Sequence, residues 1–292
     1  MQFRRMRMRL RFFRAAVVWL PLAVIAVPAQ ASPSAELEAG FRLLYETKFP
    51  EARAQFTSWQ KAHPDDPLGH AAEAASELFE EFYRQGVLTS EFFLDDKKLL
   101  GGIKGRSDPE RRIAFLSANM RAQHLAMERL KASPSDADAL FVLTITNGML
   151  ADYTALIDKR QLDSLKYVRQ AEEYAESLLA VRPDSADAYL ALGAANYIIG
   201  SLPVHKRFFL WFGGIRGDRQ RGMAQLEMVA MRGHLLKPFA KILLALVAQR
   251  EKQVELSRRL LQELAAEFPQ NPLFGRELAK LNRTAMGISS SP

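Results

Sequence analysis

The sequence predicts an all-α protein, a right-handed superhelical stack of helix hairpins (an α-solenoid). Three observations predict it. Apolar residues recur at three- and four-residue spacing in one segment after another, as in Leu37, Phe41 and Leu44, the period of a helix with one buried face. Short breaks rich in proline or glycine separate these segments. The chain also repeats itself: Pro134–Asn147 aligned with Pro183–Asn196, 49 residues on, gives six identities in fourteen. Self-similarity at a period of roughly 20–50 residues is the mark of stacked helical repeats.

The first 31 residues stand apart from that pattern. They hold Arg4, Arg5, Arg7, Arg9, Arg11 and Arg14 and no Lys, Asp or Glu. An apolar stretch from Ala15 to Val27 follows, then Ala29-Gln30-Ala31. A basic start, a short apolar core and a small-residue site describe a cleavable secretory signal. The other reading is an uncleaved anchor, but thirteen residues interrupted by Pro21 fall short of the ~20 that span a bilayer. The expected organisation is therefore a signal peptide over 1–31, a helical repeat domain over 32–282 and a disordered tail over 283–292. The expected compartment is the periplasm or the exterior. Beyond the signal, 34 basic residues face 33 acidic ones, so the formal charge of +7 is no nucleic-acid footprint. The chain has no cysteine, which excludes disulfides, a thiol nucleophile and a thiolate metal site.

In chain order, a first helix spans Ser34–Tyr45. Pro50 suits the start of a second over Glu51–Ala62, which carries Ala52, Phe56 and Trp59 on one face and is stopped by His63-Pro64. A third helix occupies Leu68–Arg84. An insertion follows, holding Phe92-Phe93-Leu94 and Gly101-Gly102-Ile103-Lys104-Gly105, and Asp108-Pro109 opens the next helix, which runs to Lys131. Ala137–Lys159 and Leu162–Val181 form a middle hairpin. The helix ending at Gly200 leads into a second insertion with Phe208-Phe209-Leu210-Trp211-Phe212 and Gly213-Gly214-Ile215-Arg216-Gly217, after which Asp218 caps another helix. Leu235–Arg250 and Glu255–Phe268 make the last hairpin. Its apolar run Ile242–Val247 follows Lys237 and Lys241, as a buried helix does and a membrane span does not. Asn271–Asn282 is expected to cover the open end of the stack.

Gly40, Ala52, Phe56 and Pro64 together resemble the tetratricopeptide repeat (TPR) signature. Ala122 to Pro134, Ala171 to Pro183 and Ser257 to Pro269 keep the same twelve-residue interval as Ala52 to Pro64. The prolines at 64, 134, 183 and 269 lie 70, 49 and 86 residues apart, against a repeat of about 34 in that family, so the insertions lie inside hairpins. The resemblance implies a non-catalytic scaffold for a protein or peptide partner, and the N-terminal signal makes it an exported one. TPR domains that grip a C-terminal carboxylate use lysine and asparagine on the groove face. Here Leu37, Phe41, Phe141, Ile145, Leu190 and Ala194 occupy it, so that clamp is not expected.

No nucleophile elbow, phosphate loop or zinc-protease motif occurs in the sequence. His63 and His70 flank an acidic turn but read as surface residues, so neither metal nor cofactor is expected. The candidate binding residues lie elsewhere. Lys104 and Arg216 follow glycine turns that either offer backbone N–H groups to an anion or simply reverse the chain. Phe208, Phe209, Trp211 and Phe212, flanked by Arg207, would together expose roughly 600–1000 Å², more than a monomer commonly shows. They are buried in the scaffold, against a partner, or against a lipid surface. Asn147 and Asn196, the recurrent polar pair, either read a partner's backbone or bond between helices. The alternative function is a small-ligand or lipid carrier with an apolar groove under the aromatic insertions.

Overall fold

The computed structural model describes residues 33–202 and 216–285, and among them thirteen α-helices. In order these are α1 (Pro33–Tyr45), α2 (Phe49–Ala62), α3 (Pro67–Arg84), the short α4 (Ser90–Leu94) and α5 (Asp96–Gly101), α6 (Pro109–Ala132), α7 (Ala137–Asp152), α8 (Gln161–Val181), α9 (Tyr189–Ser201), α10 (Arg219–Arg232), α11 (Lys237–Arg250), α12 (Val254–Glu267) and α13 (Pro272–Ala285). The hairpins are α1/α2, α3/α6, α7/α8, α9/α10 and α11/α12, with α13 closing the series. The fold is an all-α solenoid of helix hairpins.

One rule organises the second helix of every hairpin. Ala52 lies in a helix ending at Ala62, Ala122 in one ending at Ala132, Ala171 in one ending at Val181, Gly222 in one ending at Arg232 and Ser257 in one ending at Glu267. In each case a small, buried residue sits the same distance from the helix end. At Gly222 the first helix of its hairpin presses close: a Cβ there would lie 2.5 Å from the Tyr197 backbone nitrogen. Aspartates start several helices. Asp66, Asp108, Asp136 and Asp218 each accept a hydrogen bond from a backbone N–H of the following first turn, satisfying donors that have no partner inside the helix.

The first insertion is part of the core. Phe92 and Ile103 are buried with Leu37, Phe41 and Phe115. Helix α7 continues into a π-helical turn, Tyr153–Ile157, and the Leu156 carbonyl accepts a hydrogen bond from Ile103 N–H at 2.8 Å. Gly102, at φ 70°, passes so close that a Cβ would lie 2.4 Å from that carbonyl oxygen, so only glycine fits. The span Ala137–Ile157 is long and apolar enough to cross a membrane, yet 67% of it is buried, as a core helix would be.

The two ends of the series meet. The last hairpin and α13 pack on the first hairpin. Tyr45 donates its hydroxyl to Leu235 O at 2.9 Å and its ring lies tilted against Phe268 at 5.5 Å, while Asn271 Nδ2 donates to Tyr45 O at 2.8 Å. Glu277 accepts from Ser90 N–H, Lys280 pairs with Glu91, and Arg250 Nη1 donates to Phe93 O at 2.7 Å. Phe79 of α3 meets Phe239 of α11 edge-on at 5.2 Å. Leu37 and Phe41, expected on a groove face, are core residues, 4% and 5% exposed, packed with Phe56 and other residues of the N-terminal half. Helix α13 also runs to Ala285, three residues into the expected tail.

Candidate functional site

The repeat itself points to the site. Asn147 on α7 and Asn196 on α9 occupy equivalent places, so their surroundings can be compared residue by residue. The frame carries Gln123 onto Glu172 and Met127 onto Glu176. With Ala171 matched to Gly222, it carries Gln170 onto Arg221 and Tyr174 onto Gln225.

At Asn196 the side-chain amide is engaged at both ends. Its Nδ2 donates to Gln225 Oε1 at 3.0 Å, across from α9 to α10, and its Oδ1 accepts from Asp218 N–H at 3.3 Å. Glu172 is half-buried beside it. Burial, reinforced by Glu176 and opposed by Arg169 and Arg221, pushes its carboxyl up to about 7. A folded-state pKa above the unfolded value gives a contribution that is full below about 4.5 and is lost as pH rises through 7. Glu172→Gln is therefore expected to match wild type at pH 4 and to exceed it by on the order of 1 kcal/mol at pH 8. Urea denaturation at the two pH values would show this, and equal differences at both would refute it.

At Asn147 the same frame leaves a partly open pocket of about 310 Å³. Gln123 and Met127 come from α6, Leu143 and Asn147 from α7, and Tyr167, Gln170 and Tyr174 from α8. Asn147 is 4% exposed, and its Nδ2 donates to Leu143 O at 2.8 Å. Only the amide nitrogen can donate, which fixes the side-chain orientation. Its Oδ1 has no hydrogen-bond partner among the described residues. Tyr174, where the next hairpin has Gln225, sends its hydroxyl to Met127 Sδ at 3.7 Å and leaves the amide alone. The Gln170 amide and the Tyr167 hydroxyl also make no hydrogen bond among the described residues. Formally charged side chains are absent from this lining. On the outer face of α6, Ile113, Met120 and Met127 form a seven-residue row at 66%, 66% and 42% exposure.

Of the residues singled out in the sequence, only Asn147 lies in this pocket. Phe208, Phe209, Trp211, Phe212 and Arg207 lie outside the described residues. Arg216 is exposed ahead of α10. Lys104 is exposed in the loop between α5 and α6. Two neighbouring amides there are committed to protein, Gly102 N–H to Lys98 O and Ile103 N–H to Leu156 O. In the first insertion, Phe92 is buried, and its ring meets Phe93 edge-on at 5.7 Å. His63 stacks on Trp59 at 3.7 Å, and among the described residues no group of three or more His, Asp or Glu could hold a metal ion.

The paired helices, the small buried residue in the second helix of each hairpin and the closing prolines define an all-α protein of stacked helix hairpins. No family model and no curated protein matches the chain. Among solved structures it is similar to a thermophilic TPR protein of Thermus thermophilus, at 13% identity over 86% of this chain and 99% of that one, with a TM-score of 0.45.

Proposed function

We propose that the protein is an exported, non-catalytic scaffold that holds a protein or peptide partner. The observation that carries this reading is the outer face of α6, where Ile113 and Met120 stand in water beside a pocket with an unpartnered amide oxygen. Methionine adapts its shape to different partners, and an apolar row beside a pocket is suited to docking another chain. The arginine-rich, apolar start of the sequence supports export to the periplasm or beyond, and N-terminal sequencing of the accumulated protein should begin at Ser32.

The test is in-cell crosslinking in the native host with recovery through a C-terminal tag. Wild type is compared with Met120→Glu and with Phe209→Ser/Trp211→Ser. A specific protein recovered with wild type and lost from a folded Met120→Glu variant supports the reading and places the surface on α6. Loss only from the double variant moves the surface to the second insertion. Recovery of a small molecule or lipid in place of protein overturns the scaffold in favour of a carrier.

A further inference from the structure

We propose that the pocket between α6, α7 and α8 receives one tyrosine or tryptophan side chain of the partner, whose O–H or N–H donates to Asn147 Oδ1. The proposal rests on the scaffold reading and names the chemistry of its contact. Four features lead to it.

The pocket is the wrong size for a bridging solvent molecule. Its volume of about 310 Å³ equals roughly ten waters at ~30 Å³ each, near the lower limit of ordinary ligand pockets. A ring fits that space.

The lining is mixed in a particular way. Leu143, Met127 and the Tyr174 ring supply apolar wall, and methionine sulfur packs well against aromatic edges. The lining polar groups without a hydrogen bond among the described residues are Asn147 Oδ1, Gln123 Oε1, the Gln170 amide and the Tyr167 hydroxyl. A sugar would bring more hydroxyls than these can satisfy, whereas an aromatic ring with a single donor matches them. Asn147 Oδ1 opens to the pocket and is reached by solvent there, so a ring that covers it without offering a donor leaves it unpaired at a cost. A donor on the incoming ring removes that cost, and a phenylalanine ring does not.

The charge is also selective. One hairpin along, the equivalent positions carry Glu172, Glu176 and Arg221, and Gln225 closes on Asn196 at 3.0 Å. The copy that holds the pocket is the one without charged lining. An uncharged side chain enters it without desolvating an ionic group.

Finally, the pocket adjoins the exposed α6 row through Met127, which belongs to both. An anchor residue in the pocket and apolar neighbours along Met120 and Ile113 would form one continuous contact, with a buried aromatic at its centre.

The experiment labels the methionine methyl groups of the protein with carbon-13 and follows Met127 while N-acetyl-tyrosinamide, N-acetyl-tryptophanamide and N-acetyl-phenylalaninamide are added. The tyrosine and tryptophan probes are expected to shift Met127 and saturate at roughly millimolar concentration, as ligands of this size do. The phenylalanine probe should bind about fivefold more weakly, the value of one hydrogen bond. Asn147→Leu should erase that difference. Tyr174→Gln rebuilds the Asn196–Gln225 arrangement and should close the pocket, abolishing all shifts while the circular dichroism stays that of wild type. Equal binding of the phenylalanine and tyrosine probes to wild type, or an unmoved Met127 with all three, overturns the proposal without need of any variant. The crosslinking arm separates the two claims: a partner held equally by wild type and Tyr174→Gln overturns this site while the scaffold stands. If wild type captures no partner, the scaffold reading fails and with it the assignment of the anchor to a partner chain.

Discussion

Replacing Arg111 by leucine is expected to destabilise the protein by about 3 kcal/mol at neutral pH. Arg111 comes from the first turn of α6 and reaches back to α3, donating to Glu77 Oε2 at 2.7 Å and Glu80 Oε2 at 2.8 Å, with Glu81 at 3.8 Å. Arg53 of α2 pairs with the same Glu77 and Glu80, and Arg84 with Glu81. Glu77 and Glu81 are buried. Removing one guanidinium therefore leaves carboxylates in low dielectric with part of their counter-charge gone, which costs more than the pair contributes when intact. Burial already pushes the Glu77 carboxyl above its ordinary range, against the pull of Arg53 and Arg111. Without Arg111 the carboxyl rises further, and the folded state takes up a proton more readily than the unfolded one. A raised folded-state pKa confers stability that is complete below the unfolded value and is lost as pH climbs. The deficit of Arg111→Leu should accordingly be full at pH 7.5 and shrink near pH 4.5. Guanidinium denaturation at both values checks this, and an equal deficit at each would show that the loss is packing rather than charge.

Gly222→Ala is expected to cost about 3 kcal/mol, at the upper end for overpacking. In an exposed helix the same change gains up to about 1 kcal/mol of propensity. Here the new methyl would lie 2.5 Å from Tyr197 N and 2.8 Å from Gly193 O. Both are backbone atoms of α9, so no side chain can swing aside and the two helices must part. Gly148→Ala on α7 is the matched control, since nothing lies within 4 Å of its Cβ, and it should leave stability unchanged or raise it. A thermal melt of both variants decides the matter. If Gly222→Ala melts with wild type, the close approach is not what sets the α9–α10 spacing.

The helices were legible because each carries an apolar face at helical spacing, and many start at an aspartate and end before a proline. Gly222 was not, although it obeys the same rule as Ala52, Ala122 and Ala171. Its helix ends at Gly233-His234 without the proline that marked the others. Helices α4 and α5, at 5 and 6 residues, are too short to show a period. The pocket was half legible. Asn147 stood out because Asn196 repeats it, but Gln123, Tyr167, Gln170 and Tyr174 are ordinary residues for a helix surface. Their importance comes from what the next hairpin has instead, and the offset between α8 and α10 that makes the comparison possible depends on Gly222. The meeting of the first and last hairpins was invisible, since Tyr45 and Leu235 are joined by one hydroxyl and 190 residues of separation.

That meeting changes how the molecule should come apart. A linear array unzips from its ends, because a terminal repeat has one neighbour and the loss of one repeat leaves the rest intact. In this chain Tyr45 is held by Leu235, Phe268 and Asn271, and the α4–α5 segment is held by Arg250, Glu277 and Lys280. Among the described residues there is no loose end at which to begin. Opening either end of the stack costs the contacts of both, so unfolding should be one concerted event, and the slowest-exchanging amides should include those of α1 and α12 rather than the middle hairpin alone.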